Sequence, residues 1–244
     1  MERIMVGFDG SAASVAALRW AVAEARMYDA MVEAWTVFGR HQHALLAANG
    51  YEVGAERARI VLAELIENTA PGTGVVHKAV DGSPAVELVR LSHEADLLVV
   101  GSRGHSAVPG LLIGSVSRAC LHGASSPVAV VRADQKSGPA DRPVVVGIDG
   151  SPSARLALTA AVREARGRHT DLHVVHAVYW EHLGFSLLTP GADDLLIWGR
   201  QLVDAEVARA VIDVPVRSFV LPGHPAEVLT TYSERAALLV LGSR

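Results

Sequence analysis

Two copies of one unit make up this chain, and that repetition constrains its fold more than any other feature. Residues 4–11 read IMVGFDGS and residues 144–151 read VVVGIDGS, 140 residues later. ADLLVVGSR at 95–103 returns as AALLVLGSR at 236–244, and Gly82-Ser83-Pro84-Ala85 returns as Gly223-His224-Pro225-Ala226, both now 141 residues later. Blocks that keep their order and nearly their spacing mark a tandem duplication of a domain-sized unit. The stretch from Ala133 to Arg142 is polar, carries Gly and Pro and has no periodicity, so it reads as a linker. The expected division is a first domain at 1–132, a linker at 133–142 and a second domain at 143–244. The second copy runs to Arg244, in register with Arg103. It is expected to lack the last loop, helix and strand of the first and to leave the edge of its fourth strand open to association.

Within the first copy, apolar runs alternate with helical patterns. Arg3–Asp9, Met31–Phe38, Gly74–Val80, Asp96–Val100 and Val128–Arg132 read as strands. Between them, Ser11 is a good N-cap for a helix with an apolar stripe at Val15, Leu18, Val22 and Ala25. Glu52–Asn68, Pro84–Glu94 and Ser115–Leu121 read as further helices. In the second copy Ser151 caps and Pro152 takes the first helical position. Strand–helix alternation predicts two tandem doubly wound α/β domains, each built on a five-stranded parallel sheet of order 3-2-1-4-5, with the second copy cut short. In such sheets ligands bind beyond the carboxyl ends of the strands, where the strand order reverses.

Composition narrows the functions available. Half the residues are hydrophobic, enough for sizeable cores, and 22 basic against 26 acidic residues leave a net charge of −4. That balance gives no reason to bind nucleic acid or an anionic membrane. The single cysteine, Cys120, excludes an internal disulfide and cysteine-built metal clusters, and reads as buried and inert. No apolar run is long enough for a signal peptide or a spanning helix, so a cytoplasmic protein without targeting signals is expected. Eleven histidines are scattered, and the close pair His41 and His43 lacks the neighbours a metal site needs. Trp20 and Trp35 are expected in the core or against helices, and Trp180 and Trp198 at a domain interface.

One segment carries a candidate for chemistry. Residues 101–117 read GSRGHSAVPGLLIGSVS. Gly101 and Gly104 let the chain turn sharply and admit a bulky anion close to the backbone. Gly114 and Ser115 stand where a helix begins, and a helix N-terminus presents unpaired N–H groups and a partial positive charge. Ser115 and Ser117 add hydroxyls, and Arg103, His105 and Arg118 offer charge for a triphosphate. This is not a Walker loop, since no Gly-Lys-Ser/Thr is present, nor a dinucleotide fingerprint, which belongs after the first strand. Asp9, between Gly and a helix start, suits a turn former as well as a ligand.

The spaced glycines, Gly101-x2-Gly104-x9-Gly114-Ser115, together with Val6-Gly7-Phe8-Asp9-Gly10-Ser11, resemble the universal stress protein family in its tandem form. The likeness spans nearly the whole chain. It implies a cytoplasmic protein that binds ATP, or sometimes AMP, and pairs its domains as dimers or pseudo-dimers. By position it implies phosphates on Gly101, Gly104, Gly114, Ser115 and Val116, with Val100 towards the nucleoside. Asp9 would lie at the crevice floor near the ribose and phosphates or a bound Mg²⁺. Gly7 and Phe8 would line the same edge, and Thr36, at the end of strand two, would meet the adenine through its backbone. In the second copy Ala177 is read as replacing Thr36, and nucleotide is expected mainly in the first. The resulting expectation is an ATP-binding regulatory protein of the stress response. The alternative is a slow ATPase or nucleotidyl-transfer enzyme using the same crevice.

Overall fold

Short apolar runs become strands here because both sheet faces are covered. The chain divides into two compact units, Met1–Lys136 and Ser137–Arg244. The computed structural model describes residues 1–38, 55–104, 113–133, 142–179 and 192–243. In the first unit β1 (Arg3–Gly7), α1 (Ala12–Tyr28), β2 (Met31–Phe38), α2 (Ala55–Thr69), β3 (Val76–Asp81), α3 (Pro84–Leu91), β4 (Leu97–Gly101), α4 (Ser115–Gly123) and β5 (Val128–Val131) follow one another. All pairings are parallel and the order is β3-β2-β1-β4-β5. Successive strand residues point to opposite faces. Ile4, Val6, Leu97 and Val99 pack with Ala17, Leu18 and Ala21 of α1 and Ile66 of α2. Met5, Leu98 and Val100 pack with Leu88 and Leu91 of α3 and Cys120 of α4. A strand buried on both sides has no polar face to alternate with, hence the continuous runs in β1 and β4.

Several boundaries differ from those expected. The helix expected at 84–94 stops at Leu91 and tightens into a 3₁₀ turn over Ser92–Glu94. The helix at 115 runs on to Gly123, and α2 ends at Thr69. Glu52–Gly54, the expected start of α2, lie outside the described residues, as do His41, His43, His105 and Trp180. α1 ends where Asp29 enters the left-handed region at φ 52°, and the matching helix of the second unit ends at His169 in the same way, φ 53°.

In the second unit β6 (Val144–Gly147), α5 (Pro152–Arg168), β7 (Leu172–Val178), α6 (Ala192–Arg209), β8 (Val216–Pro222), α7 (Pro225–Ser233) and β9 (Leu238–Val240) form a parallel sheet of order β8-β7-β6-β9. Register locates the change of repeat length. Ile4 pairs with Val32 as Val144 pairs with Leu172, so the second strands still differ by 140. Thr36 pairs with Ala79 as His176 pairs with Val220, so the third strands differ by 141. The extra residue sits between α6 and β8, because Ala70 and Ala210 still donate to carbonyls 140 apart, those of Ile66 and Glu206. The residue in Thr36's place is therefore His176, not Ala177.

Candidate functional site

β1 and β4 are neighbours, and the strand order reverses between them, so their carboxyl ends frame the switch-point crevice of the first unit. After β1 the chain turns through Phe8-Asp9-Gly10-Ser11. Gly10 takes φ 82°, and Asp9 Oδ1 accepts from the Ser11 N–H at 3.0 Å. This turn delivers Ser11 as N-cap of α1, its hydroxyl accepting from the Ser14 N–H at 3.3 Å. One oxygen of Asp9 is thus a turn former. The other, Oδ2, faces Gly104, where an added Cβ would lie only 2.7 Å away. Glycine is what lets the loop after β4 lie directly against that carboxylate.

The loop is stapled at its base. The Ser102 N–H donates to the Val131 carbonyl at 2.7 Å, and the Gly114 N–H donates to the Ser102 carbonyl at 2.7 Å. The Ser117 hydroxyl donates to the Gly101 carbonyl at 2.6 Å. These bonds bring both ends of the segment together beside Asp9 and aim α4 at the crevice. Gly114, the N-cap of α4, has no side chain of its own with which to cap the first-turn amides of Ser115, Val116 and Ser117. Arg103, Gly104, Ser115 and Arg118 are exposed at this mouth.

Not every expected site residue reaches the crevice. Gly101 serves packing: a Cβ there would meet the backbone of Ala13 in α1 at 2.7 Å. Gly7 likewise makes room for Leu88, 2.9 Å from its would-be Cβ. Phe8 is buried in the core of the α1 side rather than lining the crevice edge, because the strand's alternation continues one residue past β1. Val100 is buried in the core of the other face, and Val116 packs against that same cluster. Ser117 is buried with its hydroxyl committed to the loop base. Thr36 stands two residues before the end of β2, fully buried, its hydroxyl 3.1 Å from His77 Nε2. His77 was marked by no sequence signal, because only the pairing of β3 with β2 brings its side chain to Thr36. Cys120 is wholly buried, and burial pushes its thiol up to about 11, which leaves it unreactive. Trp20 and Trp35 are partly buried against the two core layers, whereas Trp198 is exposed on α6.

The second unit repeats the turn. Asp149 Oδ1 accepts from the Ser151 N–H at 3.0 Å, and Gly150 takes φ 80°. Gly242 packs on the Ser153 backbone as Gly101 packs on Ala13. His176 Nδ1 donates to the Ile148 carbonyl at 2.8 Å, a polar bond with no counterpart at Thr36. Among the described residues no cluster of three or more His, Cys, Asp or Glu is placed to hold a metal ion, and no helix is long and apolar enough to cross a membrane.

An open parallel α/β sheet with a glycine-bearing loop and a helix N-terminus at its switch point describes the first unit, and the second repeats its strand order through β9 and its first turn. Comparison with known proteins gives that architecture a family. The Universal stress protein family matches residues 1–132 and again 142–244, and the chain belongs to it. A universal stress protein of Mycolicibacterium smegmatis is 34% identical, over 98% of this chain and 86% of that one. A universal stress protein of Mycobacterium tuberculosis H37Rv is 32% identical over the same shares. Among solved structures, a universal stress protein from Archaeoglobus fulgidus superposes with a TM-score of 0.69, covering 99% of this chain and 85% of that one at 22% identity, a likeness of fold.

Proposed function

We propose that the chain is an adenine-nucleotide-binding regulatory protein of the stress response, with ATP held in the crevice of the first unit. The observation that carries this reading is the meeting of the glycine-started N-terminus of α4 with Gly104 and Asp9 at the switch point. Main-chain amides and the exposed Arg103 and Arg118 would take the phosphates, Gly104, Gly114, Ser115 and Val116 giving backbone and Ser115 its hydroxyl. Gly101, Gly7 and Ser117 would act one step back, by setting where that backbone runs. Val100, Phe8 and Thr36 would offer the nucleoside main-chain rather than side-chain contacts.

A magnesium ion fits the residues present in a limited way. Mg²⁺ is commonly held by one or two carboxylates with water and substrate phosphates, and Asp9 is the carboxylate at this place. The ion would neutralise phosphate charge beside Asp9. Binding is expected to shift the pairing of chains, which is how a nucleotide would reach a protein partner.

Denaturing the purified protein and identifying the released small molecule tests the ligand. Calorimetric titration of ATP, with and without Mg²⁺, tests the site. Asp9→Ala is expected to weaken binding or remove its Mg²⁺ dependence. Sedimentation with and without ATP tests the pairing. A folded protein that neither carries nor takes up an adenine nucleotide overturns the reading.

A further inference from the structure

Behind the crevice loop, the two units use opposite chemistry at one pair of positions. Val15 and Arg155 each donate their N–H to the N-cap carbonyl, Ser11 or Ser151, so they occupy the same place in α1 and α5. Ile66 and Glu206 each accept from the Ala four residues on, so they match in α2 and α6. In the first unit the pair is apolar: Ile66 is in the core and Val15 packs against it. In the second it is charged. Arg155 Nε donates to Glu206 Oε2 at 2.8 Å and Nη2 to Oε1 at 3.0 Å, a bidentate pair. The same Nη2 donates to the Gly150 carbonyl at 3.2 Å, and Arg209 Nη1 adds a bond to Glu206 Oε1 at 3.0 Å. Glu206 is buried, among Ile148, Ala154 and Leu158.

We propose that Arg155 and Glu206 form a charged latch that fixes the Asp149-Gly150-Ser151 turn, so that the order of the second crevice loop, unlike the first, depends on the ionisation of Glu206. Arg155 is the positioning residue: it reaches the loop's backbone and is itself held by Glu206. Gly150 sits at φ 80° with Leu202 beneath it, and the turn around it carries the repeated carboxylate Asp149. The charged groups facing Glu206, among the described residues, are Arg155 from α5 and Arg209 from its own helix. Hydrogen bonding from Arg155 holds the Glu206 carboxyl below its ordinary value of 4.5, against the smaller opposing effect of burial. The latch is therefore intact above that value and lost as pH falls through the lower folded one. The inference stands whether or not a nucleotide binds.

Hydrogen–deuterium exchange on the full chain tests it, reported as protection factors corrected for intrinsic exchange and compared for peptides around residues 149–155 and 9–15. Wild type is expected to lose protection in the second loop by about tenfold as pH falls below 4.5 and through the lower folded value of Glu206. The double variant R155V/E206I, which installs the first unit's pair, is expected to show lower protection there at neutral pH and no such acid step. R155K keeps a charge but not the fork that spans Glu206 and Gly150, and is expected to loosen the loop while α6 stays protected. Wild-type protection of the loop in R155K, or an unchanged acid step in R155V/E206I, would overturn the proposal. Should the double variant fail to fold, R155K decides.

Discussion

At Gly104 an added Cβ would lie 2.7 Å from Asp9 Oδ2, whereas at Gly114 the nearest atom would be 3.5 Å away. Two glycines of one motif thus have different reasons to be glycine. Gly104→Val should displace the Asp9 carboxylate and obstruct the mouth while leaving the core intact. ATP affinity measured by calorimetry is expected to fall at least tenfold with an unchanged circular-dichroism spectrum, and unchanged affinity in a folded variant would count against the site. Gly114→Ala meets only ordinary contacts and should change the melting temperature little. Gly101→Ala is the reverse case, because the Cβ meets the backbone of Ala13, which cannot swing aside. Overpacking of this kind costs about 1–3 kcal/mol, so thermal unfolding of the first unit should shift down by several degrees.

Among helices, the N-termini tell capped scaffold from receptive site. α1 and α5 are closed by Ser11 and Ser151, whose hydroxyls accept from Ser14 and Ala154. α4 begins at a glycine that offers nothing. Ser11→Ala should destabilise the first unit by about 1 kcal/mol, the usual worth of such a cap, read from denaturant unfolding. α4's own position depends on the Ser117 hydroxyl at the Gly101 carbonyl and the Gly114 N–H at the Ser102 carbonyl. Ser117→Ala is expected to weaken ATP binding without removing any direct contact, a loss that appears as a faster off-rate.

Across the whole molecule, acid should act through buried carboxylates that differ between the repeats. In the first unit Glu33 is buried in β2; burial works to raise its carboxyl, but hydrogen bonds from Lys78 and Trp35 and the charges of Lys78 and Arg3 outweigh it and hold it below 4.5. Its contribution is present above that value and lost as pH falls through the folded one. Glu33→Gln should therefore reduce the acid sensitivity of the first unit's melting, seen by following unfolding as pH falls from neutral to well below 4.5. The duplication and the strand order of the first unit were legible from residues, because apolar runs are local signals that a parallel sheet converts directly into position. Local signals do not report packing partners. Pattern alone could not separate Gly101, which yields to a helix backbone, from Gly104, which yields to a carboxylate. Nor could it place the added residue between α6 and β8, after the second strands, so that the equivalent of Thr36 is His176 rather than Ala177. Which face a side chain meets, and what stands there, is set by contacts between segments far apart in the chain, such as Arg155 with Glu206. Only the folded chain brings those partners together.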